Sequence, residues 1–183
     1  MVKKIYISLA LILSMGAILF AQEDYTKHQL GMNASKFVVI FNEQVNNLDL
    51  TYRYSLSDKQ RIRFASSIDV STEEGDITAY EIRLGYDFNL KDTERWNFYT
   101  GFDVTYGQSV TTSTDRLSRH FGPYVFLGVL FKMGKHFSLS TEPSLAILRK
   151  IRKDPESFNP EADANWTEIK FLNVGQIKVG FHF

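Results

Sequence analysis

The sequence predicts an all-β protein, with eight antiparallel strands closed up-and-down into a transmembrane β-barrel. Three observations predict it. Segment after segment alternates apolar and polar side chains, the period of a strand with one face in an apolar medium. The connections between these segments alternate short and long, as in a barrel with tight turns at one end and long polar loops at the other. The chain also ends on GQIKVGFHF, where Ile177, Val179, Phe181 and Phe183 alternate with Gln176, Lys178, Gly180 and His182. Chain ends are ordinarily polar and loosely held.

The first segment, MVKKIYISLALILSMGAILFAQE, places Lys3 and Lys4 before an apolar run from Ile5 to Phe20, then Ala21 before polar Gln22. That is the layout of a secretory leader, and the run is shorter than the ~20 residues a spanning helix needs. Residues 1–21 are therefore expected to be a cleaved signal peptide, and residues 22–183 the barrel domain. The 15 Phe and 9 Tyr against only 4 Pro favour strands. With 21 basic and 21 acidic residues, no basic stripe suggests nucleic acid. The absence of cysteine excludes disulfides, a thiolate metal site and a lipidated cysteine.

Taken in order, HQLGMNASKFVVIF alternates at first through Leu30, Met32 and Ala34; after Ser35 the pattern blurs, leaving a short helical turn or an inward plug open. NLDLTYRYSL sets Leu48, Leu50, Tyr52, Tyr54 and Leu56 against Asp49, Thr51, Arg53 and Ser55. RIRFASSIDV sets Ile62, Phe64, Ile68 and Val70 against Arg63, Ala65, Ser67 and Asp69. AYEIRLGYDFNL opposes Tyr80, Ile82, Leu84, Tyr86 and Phe88 to Glu81, Arg83, Gly85 and Asp87. WNFYTGFDVTYG opposes Trp96, Phe98, Phe102, Val104 and Tyr106 to Asn97, Tyr99, Gly101, Asp103 and Thr105. GPYVFLGVLF is apolar on both faces, so its orientation is open. FSLSTEPSLAIL sets Phe137, Leu139, Leu145 and Ile147 against Ser138, Ser140, Glu142 and Ser144, and the terminal strand is the eighth. From the second strand on, SDKQ, KDTER and KMGKH are the short connections; STEEGDI, GQSVTTSTDRLSR and RKIRKDPESFNPEADAN are the long ones.

Alternation alone does not say which face sees lipid, because a soluble ligand-binding barrel turns its apolar face inward. Here the apolar face carries more bulk than the interior of an eight-stranded barrel accommodates. Aromatic residues also gather near strand ends, as two interfacial girdles require. Tyr54, Phe88, Trp96, Phe98, Phe137 and Phe183 fall near the short-turn end; Tyr80, Tyr106, Tyr124 and Trp166 fall near the long-loop end. The polar face then lines the lumen. Its charges balance, with Arg53, Arg63, Arg83 and Lys178 against Glu81, Asp87, Asp103 and Glu142. Such groups can pair in a narrow interior, whereas facing lipid at mid-depth each basic one would cost ~2–4 kcal/mol. The expected lumen is closed and salt-bridged.

The leader, strand number, loop asymmetry and terminal KVGFHF together resemble the small eight-stranded outer-membrane barrels of Gram-negative bacteria, such as the transmembrane domain of outer membrane protein A and the outer membrane protein X group. LGMNAS, LTYRYSL and FSLSTEPSL resemble segments of porin-like outer-membrane β-barrel domains. The resemblance spans residues 22–183. It implies residence in the outer membrane, contact with its lipid and lipopolysaccharide, and a monomer. It also implies that Ile177, Val179, Phe181 and Phe183 form the signal read by the barrel-assembly machinery. The blurred first strand and the lack of a domain after the barrel depart from that pattern.

No catalytic motif stands out. His28, His120, His136 and His182 are scattered, without metal-ligand spacing, and no cofactor is expected. His136, Ser138 and Glu142 resemble the His/Ser/Glu site of outer-membrane lipid A deacylases, but His136 falls in a short turn, far from the outer leaflet. Asp115, Arg116 and Arg119, with RKIRKD further on, lie in long loops where basic side chains can meet lipopolysaccharide phosphates. The reading is a structural or surface-interaction barrel, not an enzyme, with specificity in the loops at 107–119 and 150–166. Three alternatives are a narrow channel for small solutes or ions, a lipid-modifying enzyme and a soluble exported ligand-binding barrel.

Overall fold

The computed structural model describes residues 27–34, 47–69, 77–111, 116–153 and 164–183; the leader expected over 1–21 and the blurred stretch at 35–46 lie outside them. The strands are β1 (His28–Asn33), β2 (Asn47–Ser57), β3 (Gln60–Asp69), β4 (Ile77–Asp92), β5 (Trp96–Thr111), β6 (Arg116–Lys132), β7 (Phe137–Thr141), β8 (Ser144–Lys153), β9 (Ala164–Leu172) and β10 (Lys178–His182). They pair in the order β5-β4-β3-β2-β1-β10-β7-β6-β8-β9, and β5 also pairs with β6, so the sheet closes on itself. Every ladder is antiparallel.

Ten segments make eight staves, because two staves are interrupted. β7 and β8 both pair with β6, one after the other, around Glu142 and Pro143. Proline has no N–H for the ladder, and its carbonyl still accepts from Leu127 N at 3.2 Å. β9 and β10 are separated at 173–177, where Asn173 (φ 59°) and Gly175 (φ 75°) turn left-handed. Asparagine and glycine are the residues that tolerate this best. Ring closure joins the two ends of the described chain. His28 N donates to the Phe183 carbonyl and Phe183 N to the His28 carbonyl, both at 3.0 Å.

Tight turns at 58–59, 93–95 and 133–136 link the strands at one end. At the other end the strands run further than the sequence predicts. Most of the loop expected at 107–119 is strand, with Gln108 opposite Arg119 and Ser109 opposite Ser118. Likewise Lys150 faces Trp166 and Arg152 faces Ala164. Polar side chains enter both faces of these extensions, Gln108 and Arg119 on the side of Val110 and Leu117 and Ser109 and Ser118 on the other, so the two-residue period that reveals a strand fades there.

Burial is inverted relative to a water-soluble protein. Leu84 (60 % exposed), Val104 (60 %), Leu127 (63 %) and Ile169 (67 %) face outward, while Arg53 (1 %), Asp87 (0 %), Asp103 (0 %) and Glu142 (1 %) are sealed inside. A soluble barrel needs the reverse. The ambiguous β6 turns Tyr124, Phe126 and Leu130 inward and leaves Phe121, Val125 and Leu127 exposed. Tyr124 is therefore not a girdle residue as expected; it packs with Ala146 and Leu148 against Leu172. Inward glycines make room for large neighbours. A side chain at Gly101 would run into the Phe126 ring, and one at Gly128 into the Tyr99 ring.

Candidate functional site in the lumen and on the barrel surface

The middle of the lumen is filled by an ionic cluster that six staves build. Strand alternation points Arg53 (β2), Arg61 and Arg63 (β3), Asp87 (β4), Tyr99 and Asp103 (β5), Glu142 and Lys178 (β10) to the same side. Arg53 Nε donates to Asp87 at 2.8 Å, and its terminal nitrogen meets Glu142. Arg63 donates to Asp103 at 2.6 Å and to Glu142 at 3.2 Å. Lys178 and the Tyr99 hydroxyl complete the shell around Glu142, at 2.6 Å and 2.5 Å. The Arg61 guanidinium lies 4.8 Å from the Tyr99 ring centre and that of Arg63 4.0 Å from the Phe126 ring centre. Cation, carboxylate and aromatic face thus stack into a plug, which lowers the desolvation penalty each ion would meet alone.

Glu81 and Arg83, the other two expected lumen charges, sit nearer the long-connection end. Arg83 approaches Glu81 at 3.2 Å and Asp49 at 3.7 Å, and His120 Nε2 lies 2.8 Å from Glu81. With Asp69 and Tyr124 they line a cavity of about 290 Å³. At the short-turn end, Gln29 and His182 hydrogen-bond Ser138 at 3.4 and 2.8 Å.

The sequence reading left Arg61, Gln29 and His120 out of this interior. Arg61 shares the parity of Arg63, and that signal was available. His120 falls between the loop expected at 107–119 and the strand expected from Gly122, so no parity is assigned to it.

Tyr54, Phe88, Trp96, Phe98 and Phe137 lie on the outward face near the short turns, several in ring contact: Tyr86 with Phe88 at 4.9 Å, Trp96 with Phe131 at 4.8 Å and Phe137 with Phe181 at 5.4 Å. Tyr80 and Tyr106 face outward towards the other end, 6.4 Å apart. Trp166 departs from the expectation. It alternates with outward Ile169 and Phe171 and shares the inward side of β9 with Leu172, below the guanidinium of Arg152 at 5.2 Å. An aromatic near a strand end looks the same on either face; the Ile169–Phe171 alternation was the signal that separates them.

On the terminal strand, Val179 and Phe181 point outward, Phe183 stacks on His28 at 5.5 Å, and Ile177 is exposed just before β10. His136, Ser138 and Glu142 do not form a site. His136 Nδ1 lies 3.1 Å from the His182 carbonyl, Ser138 bonds His182, and Glu142 is surrounded by cations.

No protein-family model matches the chain, and no curated protein does. Solved structures do. The N-terminal β-barrel domain of Pseudomonas aeruginosa OprF superposes with a TM-score of 0.51 at 10 % identity, covering 88 % of this chain and 100 % of that one. Neisserial surface protein A superposes with a TM-score of 0.50 at 11 % identity, covering 86 % and 94 %. At such identities the likeness is one of fold. An apolar exterior, an ionic interior and this superposition lead to one conclusion: the chain has the fold of the small eight-stranded outer-membrane β-barrels.

Proposed function

We propose that this chain is an integral outer-membrane protein, exported through a leader at residues 1–21, with a structural or surface-interaction role. The observation that carries the reading is the plug around Glu142, where Arg53, Arg63, Lys178 and Tyr99 converge on one carboxylate in the middle of the barrel. In this reading those side chains close the lumen, the barrel is a scaffold and its long connections are its working surface. In this reading the short turns face the periplasm. Ile177, Val179, Phe181 and Phe183 guide assembly, and a monomer sits among outer-membrane lipids.

Reconstitution into vesicles and planar bilayers tests this. The expected outcome is a detergent-dependent protein whose gel mobility changes on boiling and whose bilayer current stays at baseline. Stepwise conductance would favour the channel reading. A chain that stays in the aqueous fraction without detergent would favour the soluble barrel.

A further inference from the structure

We propose that the outer face of the barrel carries a binding site for the phosphate group of a membrane lipid, formed by Arg119 of β6 and Arg149 of β8. This rests on the orientation proposed above, with the long connections on the outer side. Strand register arranges outward side chains of β5, β6, β8 and β9 in level rows. One row, Phe102–Val125–Leu145–Phe171, is wholly apolar. Further towards the long-connection end comes Tyr106–Phe121–Arg149–Thr167, and then Gln108–Arg119–Ile151–Asn165. The outer face thus passes from hydrocarbon chemistry to hydrogen-bond donors within a few residues, and two guanidinium groups mark the change.

Among the described residues, no carboxylate shares the outward face with these two arginines. The acids of the same strands, Asp103 and Glu168, lie on the inward side, and neither polar row contains a carboxylate. Arg119 spends its Nε on Gln108 at 3.1 Å, a neutral partner. Arg149 stands diagonal to Arg119, since it is two residues from the Ile151 that Arg119 faces. Diagonal neighbours are about 7–8 Å apart, so both guanidinium groups can reach one phosphate while repelling each other without it. Guanidinium binds phosphate through paired hydrogen bonds, and Thr167, Asn165 and the Tyr106 hydroxyl border the same spot. The adjoining apolar row supplies the surface for acyl chains, which makes the source a lipid and not a free ion.

Native mass spectrometry of the folded full chain in neutral detergent tests the site, with diphosphoryl lipid A and the same lipid stripped of its phosphates as probes. Retention of the phosphorylated form should exceed that of the stripped form by about tenfold or more, the ratio a single lost charge-assisted contact produces. Arg119→Gln and Arg149→Gln together should abolish the difference, while Lys150→Gln, a cation on the inward side paired with Glu168, should leave it intact. Unboiled gel mobility verifies that each variant is folded. Equal retention of the two probes, or a double variant that binds as the native chain does, overturns the site. Displacement of the lipid by millimolar inorganic phosphate overturns the lipid as its source. A chain that never enters vesicles counts against the membrane reading, whereas an inserted barrel indifferent to phosphate counts against this site alone.

Discussion

Glu142 is the residue on which the interior balances. One carboxylate answers Arg53, Arg63 and Lys178 and accepts from Tyr99. Glu142→Gln keeps the volume but leaves three buried cations facing only Asp87 and Asp103. Stripping a buried charge cluster of one partner costs about 3–5 kcal/mol, so the urea midpoint of the refolded barrel should fall by that equivalent. Lys132→Ala breaks a 2.7 Å pair with Asp92 that lies largely in solvent, and its effect should stay below about 1 kcal/mol. Equal effects from the two substitutions would mean that the plug contributes nothing special to stability. That these charges share one side was legible in the sequence, because parity along a strand requires no knowledge of its neighbours. Which cation meets which carboxylate was not, because that depends on register between strands up to 89 positions apart.

At the scale of a strand, the outward face should respond to depth. Leu127, central in the apolar run 121–131 of β6 and 63 % exposed, and Leu90, near a short turn and equally exposed, differ mainly in position. Leu127→Arg should destabilise the barrel in vesicles by ~2–4 kcal/mol, and Leu90→Arg by ~0–1 kcal/mol. Indistinguishable costs in a denaturant titration would speak against a bilayer around this belt. The sequence revealed most strands because each crosses an apolar medium on one face and a polar one on the other. It failed where that contrast lapses. β6 is apolar on both faces and hid the inward turn of Tyr124; the extensions past Gln108 and Lys150 carry polar side chains on both faces and looked like loop. The breaks at Pro143 and Asn173–Ile177 leave the alternation of Glu142 and Lys178 unbroken, so a single continuous strand was the natural reading on each side.

At the scale of the whole molecule, what matters is that the ring has no privileged starting point. His28 and Phe183 are joined by two reciprocal backbone bonds, so the ends of the described chain already sit where a peptide linker could fuse them. A circular permutant with residue 183 joined to residue 27 and new ends cut between Asp58 and Lys59 would retain every ladder, and its ends would open on the same rim as the native ones. Refolded in detergent, it should match the parent in circular dichroism and in heat-dependent gel mobility; a permutant that stays unfolded would show that strand order directs the final structure. Under the proposal that Ile177, Val179, Phe181 and Phe183 guide assembly, the same permutant, in which that segment is internal, should fail to reach the membrane when expressed in cells. On that proposal, thermodynamic destination and cellular delivery are separable: the first lies in a closed circuit of neighbours, the second in the alternating segment Ile177–Phe183.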